Sequence, residues 1–121
     1  MLTRGRGAIF FTGATASLRG GIGYAAFASA KFGLRAVAES AARELGPKGI
    51  HVAHLIIDAG VDTQWVRERI KEREGEAALA NLDPGRLMRP ASVAEAYWQI
   101  YQEPRDAWSF EREIRPFAEQ W

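Results

Sequence analysis

An α/β fold, with about three mainly parallel strands and flanking helices, is predicted by a strand–helix–strand pattern near the start of the chain. The short apolar run Ala8–Thr12 ends at Gly13 and is typical of a strand that is buried on both faces. Over residues 24–45 the apolar residues recur at helical spacing, and Gly46-Pro47 ends that helix. A second apolar run, Ile50–Ile57, follows. Because this order favours a right-handed crossover, the strands are expected to pair in parallel.

The rest of the chain predicts two more helices and a short edge strand. A charged amphipathic helix is expected from Gln64 to about Leu82, where Asp83-Pro84-Gly85 breaks it. Ser92 is expected to cap the next helix, with Glu95 as its capping-box partner. The charge-rich run Phe110–Arg115 alternates and is typical of a protected edge strand. The expected apolar anchors of the two helices are Trp65, Ile70 and Leu79, then Val93, Ala96, Tyr97 and Ile100.

The composition is that of a single globular domain spanning residues 1–121. Lys and Arg number 16 against 15 Asp and Glu, so a formal charge of +1 gives no indication of a nucleic-acid or membrane partner. The chain has no cysteine, which excludes disulfides and thiolate metal sites. His51 and His54 have opposite parity on one strand, so they should point to opposite faces and no metal site is expected. Without a signal peptide or a membrane-length apolar segment, a soluble cytoplasmic protein is expected.

The loop between the first strand and the helix is rich in glycine and has two interpretations. Gly21-x-Gly23 follows a strand, and Asp58 ends the next strand, as in a dinucleotide-binding turn. The spacing argues against that turn, because Gly13 and Gly21 are eight residues apart and Asp58 lies 35 residues after Gly23. The ribose contact favours roughly 20 residues. A phosphate-binding loop therefore stays open as the alternative to a flexible loop.

The segment Phe27-Ala28-Ser29-Ala30-Lys31 resembles the active-site helix of the short-chain dehydrogenase/reductase (SDR) family, which carries Tyr-x-x-x-Lys. The resemblance puts Lys31 at the lysine position and Phe27 at the position of the catalytic tyrosine. Aligned without a gap on Lys31 and Leu18-x-Gly20, the family's catalytic serine falls at Ala14, and a shift of one residue would offer Thr15 instead. Because a phenyl ring has no titratable proton, the family's acid–base step cannot run through position 27.

The resemblance also implies a nicotinamide cofactor, NAD or NADP. The family's lysine holds the nicotinamide ribose, which implies that role for Lys31, with an ordinary surface lysine as the alternative. The family's Pro-Gly-x-x-x-Thr segment lies along the cofactor; here Thr63 matches, Ala59 replaces the glycine and Asp58 the proline. A carboxylate at that point would repel a pyrophosphate unless it turned away. Tyr24 offers a displaced phenol on nearly the same helical face, with packing or a surface position as the alternative.

The resemblance runs from Gly5 to Arg115 and corresponds to the second half of the family's doubly wound, Rossmann-like fold. A partial Rossmann-like layer is therefore expected, from a fragment or an internal translation start. The first strand would expose an apolar edge. Helix 24–45 carries a ridge of small residues, and the resemblance implies that this helix forms a dimer interface. Both features predict a homo-oligomer. The ridge consists of Ala26, Ala30, Gly33, Val37 and Ser40.

The resemblance predicts an NAD(P)-dependent oxidoreductase in which the standard Ser-Tyr-Lys catalysis is lost. Lys31 and Thr63 are its retained residues, and the chain alone is not expected to be an active enzyme. The alternatives are a non-catalytic oligomeric interaction or structural protein, and a fragment without function.

Overall fold

The computed structural model describes residues 1–119 as a three-stranded sheet with flanking helices. The predicted α/β fold is therefore confirmed. One-turn 3-10 helices occupy Leu2–Arg4, Thr15–Ser17 and Gly46–Lys48. In chain order the other elements are β1 (Gly7–Ala14), α1 (Ala25–Leu45), β2 (Ile50–Ile57), α2 (Gln64–Glu74), α3 (Glu76–Ala80), α4 (Pro90–Tyr101) and β3 (Glu111–Ile114).

The sheet is parallel throughout and has the order β1-β2-β3, so β2 is its central strand. β1 and β2 pair along their whole length, from Gly7 opposite Ile50 to Ala14 opposite Ile57. β3 pairs only with the last part of β2, from His54 onward. The apolar run of β2 is explained by this central place, because both of its faces are covered and nearly all of its residues are buried. The parallel pairing predicted from the crossover is confirmed.

The apolar core lies between one face of the sheet and α4. Ala53 and Leu55 of β2 contact the inner face of α4, which has its apolar residues at helical spacing. Phe10, Ile57 and Ile114 extend this core along the sheet. The predicted α4 anchors are therefore confirmed, with Tyr97 partly buried. The buried members of the cluster are Ala53, Leu55, Met88, Val93, Ala96 and Ile100.

The opposite face of the sheet is covered by α1, and a charged network lies at that contact. Glu111 on β3 accepts hydrogen bonds from the Arg35 guanidinium at 2.7 and 3.0 Å. Its Oε2 also lies 3.0 Å from Nδ1 of His54, a fully buried residue of β2. Burial would raise the pKa of Glu111, but the hydrogen bonds from Arg35 and His54 outweigh burial and hold that pKa below its usual value. One carboxylate therefore ties together α1, β2 and β3.

His51 points to the face opposite His54, as the strand parity predicts. Its ring stacks on Trp108 with centroids 4.8 Å apart, and its Nε2 lies 2.8 Å from the Ser109 carbonyl oxygen. Each histidine thus has its own polar partner on its own side of the sheet. Among residues 1–119, no group of three or more His, Cys, Asp or Glu side chains is placed to hold a metal ion.

The single helix predicted from Gln64 to about Leu82 is wrong, because the chain breaks at Gly75 into α2 and α3. Gly75 has φ 92° and ψ 167°, a conformation that residues with a side chain rarely adopt. Ile70 is the buried anchor of α2 and Leu79 is partly buried, but Trp65 is 65% exposed. The prediction of Trp65 as a core anchor is therefore also wrong.

The predicted cap at Ser92 is wrong as well. α4 begins two residues earlier at Pro90, and Arg89 is its N-cap residue. Proline suits the first turn of a helix, because its φ is already helical and the N–H it lacks would have no partner within the helix. Within residues 1–119, none of the helices has the length and apolar character required to span a bilayer.

Candidate functional site

A cleft of about 790 Å³ opens at the carboxyl ends of β1 and β2. Parallel strands place their following loops at one edge of the sheet, which is why such edges commonly bind ligands. The loop after β1 and the first turn of α1 form one side, and α2 forms the other. The lining residues that matter below are Ala14, Thr15, Arg19, Tyr24, Phe27, Ile57, Ala59, Gly60, Trp65, Val66, Arg69, Ile70, Arg73, Glu74 and Arg86.

Ala14 and Phe27, the positions of the family's serine and tyrosine, both line this cleft. Ala14 is the last residue of β1, and Phe27 lies in the first turn of α1, where 46% of its surface is exposed. The two residues that the resemblance assigns to the serine and tyrosine positions therefore lie in one cavity. Neither side chain can donate a hydrogen bond or a proton.

Lys31 lies one turn after Phe27 and is fixed to the sheet. Its Nζ donates a hydrogen bond to the Thr12 carbonyl oxygen at 2.9 Å and lies 5.8 Å from the centre of the Phe27 ring. The Thr12 hydroxyl in turn lies 2.5 Å from the hydroxyl of Tyr97 on α4. Lys31 is half-buried and held in one place, unlike a lysine that extends freely into solvent.

Asp58, at the end of β2, is a buried carboxylate that is paired within the fold. Only 5% of its surface is exposed, and it accepts a hydrogen bond from the Thr15 hydroxyl. The guanidinium groups of Arg19 and Arg115 lie 3.6 and 4.0 Å from its oxygens. One hydroxyl donor and two cations therefore surround this carboxylate, and Asp58 is not among the residues that line the cleft.

The pairing with Asp58 also decides what Thr15 is able to do. A threonine hydroxyl has one proton to donate, and the proton of Thr15 is directed to the Asp58 carboxylate. Thr15 lines the cleft, yet it has no second proton for a substrate carbonyl. The alternative in which Thr15 substitutes for the missing serine as a hydrogen-bond donor is not supported by this geometry.

The segment after β2 contributes Ala59 and Gly60 to the lining of the cleft and Thr63 to the start of α2. Thr63 is the N-cap residue of α2, and its Oγ1 accepts a hydrogen bond from the Val66 N–H at 3.3 Å. The hydroxyl proton of Thr63 is not used by this cap, because the oxygen acts as the acceptor. The residue is exposed next to the cleft and keeps a donor for a ligand.

The sequence did not identify the arginines of α2 as residues of the site. Arg69 and Arg73 line the cleft one helical turn apart, and Arg86 joins them from the loop before α4. Arg86 forms two hydrogen bonds to Glu74, and they hold the pKa of Glu74 below its usual value. In sequence these residues belong to a run of mixed charges that is typical of a solvated helix, so only the buried Ile70 could have indicated which side faces inward.

Tyr24 also belongs to the cleft rather than to the core or an isolated surface. Its hydroxyl oxygen accepts a hydrogen bond from Arg73 at 2.6 Å, and this bond raises the pKa of Arg73 above its usual value. The Tyr24 ring lies edge-on to Phe27, with centroids 6.4 Å apart. A phenol is thus present one turn before the position where the family has one.

Comparison with solved structures shows the same architecture in chains about twice as long. A short-chain dehydrogenase from Rhodopseudomonas palustris is 57% identical with a TM-score of 0.69, and the match covers 97% of this chain and 42% of that one. A closed form of serine dehydrogenase complexed with NADP+ is 20% identical with a TM-score of 0.82, covering 100% of this chain and 48% of that one. An NADPH-bound short-chain oxidoreductase from Pseudomonas aeruginosa PAO1, described as containing an atypical catalytic center, is 19% identical with a TM-score of 0.69, covering 93% and 46%.

This chain thus spans less than half the length of each of these structures. A search of curated proteins gave no match. The sequence model of a family described as Enoyl-(Acyl carrier protein) reductase matches residues 1–105 of the 121. With that match and the relative from Rhodopseudomonas palustris, the resemblance seen in residues 27–31 is confirmed, and the chain belongs to the short-chain dehydrogenase/reductase family.

Proposed function

We propose that this chain forms the active-site helix and the substrate-facing wall of an NAD(P)-dependent oxidoreductase that does not take its proton from residue 27. The observation that supports this most directly is the shared cleft of Ala14 and Phe27, with Lys31 fixed beside them. The cavity and the lysine are retained, while the two hydroxyl groups that would act on a carbonyl are replaced by hydrocarbon. Standard Ser-Tyr-Lys catalysis is therefore proposed to be lost.

The residues present fit the nicotinamide-ribose end of the cofactor. Lys31 uses one N–H on the Thr12 carbonyl, and an ammonium group has three, so others are available for ribose hydroxyls. Ala59 and Gly60 line the cleft, and the exposed Thr63 follows them at the start of α2, where its hydroxyl proton is not used by the cap. When bound, the nicotinamide would supply or accept the hydride.

The apolar positions 14 and 27 restrict the chemistry that this cleft supports. Without an acid at these positions, a carbonyl that becomes an alcohol must take its proton from another donor or from water. Phe27 instead offers an apolar surface that excludes water from the reacting carbon. Hydride transfer to a substrate that needs no acid from residue 27 is the reaction most compatible with this wall.

The structures compared above support a nicotinamide cofactor, since two of them hold NADP+ or NADPH. An NAD(P) cofactor and the oxidoreductase activity are accordingly proposed for this chain. A cytoplasmic location is proposed as well, on the basis of the family to which the chain belongs.

Thermal denaturation with NADH or NADPH tests the proposal. At a cofactor concentration near Kd, binding is expected to raise Tm by roughly 1–3 °C. Replacing Lys31 by Met should abolish the rise, because it removes the donor proposed for the ribose. Lys71→Met is the matched control, since Lys71 is an exposed residue of α2 that pairs with Glu76. If millimolar NADH and NADPH leave Tm unchanged, or if both variants respond alike, the proposal is wrong.

A non-catalytic oligomeric role is the second candidate, and two observations favour it. The ridge residues predicted on α1 are all exposed, and β1 pairs on one side only among the described residues. An open strand edge and a small-residue helix face both favour association with a second copy. A homo-oligomer formed through α1 and the free edge of β1 is accordingly proposed.

A further inference from the structure

Two arginines on α2 line the cleft, and each lies beside an aromatic ring. The Arg69 guanidinium carbon lies 5.3 Å from the centre of the Trp65 ring, and that of Arg73 lies 5.8 Å from the centre of the Tyr24 ring, next to its hydroxyl. Because the two arginines are four residues apart on one helix, their side chains are neighbours on the same side. A guanidinium held at one point keeps other N–H groups that can bind a ligand.

Among the described residues, Arg86 is hydrogen-bonded to a carboxylate, whereas neither Arg69 nor Arg73 is. Arg86 is bound to Glu74 through two hydrogen bonds. Arg19 lies 3.6 Å from the buried Asp58 and Arg69 lies 3.9 Å from the exposed Glu72, and both ion pairs are too long to be hydrogen bonds. Arg73 donates to a neutral phenol oxygen. A guanidinium has five N–H donors, so both retain donors for an anion.

Tyr24 adds a third donor beside this pair. Because its oxygen accepts the hydrogen bond from Arg73, its own O–H proton is left for another partner. The hydroxyl belongs to a ring that is 42% exposed and lines the cleft. Two guanidinium groups and one phenol O–H thus converge on the α2 side of the cavity.

Much of the rest of the wall is apolar, beside Thr15, Arg19 and the Glu74–Arg86 pair. Phe27 and Trp65 are exposed aromatic rings in this lining, and apolar side chains that gather in a cleft with a few polar groups are typical of a ligand site. A polar molecule would gain little from this wall, and a purely apolar one would leave the arginines without an anion. The apolar lining comprises Ala14, Ala16, Phe27, Ile57, Trp65, Val66 and Ile70.

We propose that the cleft binds an apolar molecule with an anionic oxygen head group, held by Arg69, Arg73 and the Tyr24 hydroxyl, with its apolar body against Phe27. A carboxylate matches the flat edge of a guanidinium through two hydrogen bonds, and a phosphate monoester presents the same chemistry. The inference deepens the proposed function, because this ligand would be the substrate and its reacting carbon would lie beside Phe27. Its binding requires no cofactor.

Calorimetric titration of the 121-residue chain with 4-phenylbutyrate tests the site. The neutral analogue 4-phenylbutanamide has the same apolar body, and it is expected to bind at least tenfold more weakly because it lacks the charge. Phenylpropyl phosphate is the third probe: tighter binding than 4-phenylbutyrate assigns a phosphate head group to the natural ligand, and equal or weaker binding assigns a carboxylate. Raising the salt concentration should weaken the binding of both anions but not that of the amide.

Substitutions separate this site from unspecific attraction. Arg69→Gln and Arg73→Gln are each expected to weaken 4-phenylbutyrate binding by about tenfold, as expected for the loss of one charge-assisted contact. Lys71→Gln removes the same charge from the same helix and should change nothing, because Lys71 does not line the cleft. If Arg73→Gln fails to fold, Arg73→Lys keeps the charge and should still weaken binding, because it loses the planar fork.

Equal affinity for acid and amide, or equal losses in the Lys71 and Arg73 variants, would overturn the inference. Because nicotinamide is absent from this titration, the two proposals fail separately. If the chain binds 4-phenylbutyrate but its Tm does not respond to NADH or NADPH, the proposed oxidoreductase function is rejected and the anion site is retained. If Tm responds to the cofactor but the chain does not distinguish the acid from the amide, only the proposed anionic head group is rejected.

Discussion

At position 27 a phenyl ring faces the Lys31 ammonium at 5.8 Å, in the place where the family has a phenol. The lysine keeps its attachment to the Thr12 carbonyl, so its position does not depend on a tyrosine oxygen. A ring face attracts a cation weakly, whereas a phenol carries a titratable proton whose pKa a nearby cation would lower. Residue 27 therefore offers no proton, while Lys31 keeps its contact with the sheet.

Restoring the hydroxyl groups tests whether that geometry is competent. Phe27→Tyr combined with Ala14→Ser is expected to raise NADPH-dependent reduction of a small ketone by roughly 100-fold over the parent chain, which is the usual contribution of a positioned proton donor. Steady-state NADPH oxidation measures it.

Phe32→Tyr is the matched control, because Phe32 lies on the same helix with the same 46% exposure but outside the cleft. Equal rates for the two tyrosine variants would contradict the expectation.

At the scale of elements, sequence spacing located the strands and α1, because strand and helix periods are set locally. Ala14 and Phe27 were found through the resemblance to the family, by alignment on Lys31 and Leu18-x-Gly20. The arginine site could not be found in this way, because the side of α2 that faces inward depends on the packing of Ile70. The break at Gly75 was missed because the apolar spacing continues across it. The start of α4 at Pro90 was missed because Ser92, two residues later, resembled an N-cap residue.

Glu111 joins three elements, which predicts a pH-dependent stability. Because its pKa is lowered in the folded protein, its ionised form contributes stability above the pKa of the unfolded chain. That contribution is lost as the pH falls through the lower pKa of the folded state. Glu111→Gln should therefore reduce the free energy of unfolding at pH 7 by about 1–2 kcal/mol, and the difference should shrink as the pH falls below about 4.3, the pKa of glutamate in an unfolded chain.

Urea denaturation at a series of pH values measures this difference. Glu44→Gln is the control, because Glu44 is an exposed residue whose partner Lys48 lies on the same surface of the molecule. A surface pair of this kind contributes little. A difference between the Glu111 variant and the parent that is constant from pH 7 to pH 3 would contradict the assignment.

For the whole molecule, the sheet order decides which surfaces are open. Central β2 is covered on both faces and pairs with β1 along its whole length and with β3 from His54 onward, while β1 pairs on one side among residues 1–119. The chain spans about half of the solved relatives, in which this architecture is part of a longer chain. The sequence could indicate an open edge from the apolar run of β1, but not which surface covers it.

Association through the α1 ridge gives a prediction about the whole assembly. Val37 belongs to this ridge and is 57% exposed. In an oligomer formed through the ridge, a charged side chain at position 37 would be buried without a partner. Val37→Glu is expected to shift the sedimentation coefficient of the chain from that of an oligomer to that of a monomer. Trp98→Glu, on a similarly exposed apolar residue of α4, should leave the coefficient unchanged. A parent chain that sediments as a folded monomer would refute the proposal.

The contact between Tyr24 and Arg73 fastens the beginning of α1 to the last turn of α2, across 49 positions of the chain. Gly75 follows directly and has no side chain to restrict rotation there. A ligand held by Arg73 and by the Tyr24 hydroxyl together would bridge these two elements. An occupied cavity should therefore hold α2 more firmly against the start of α1.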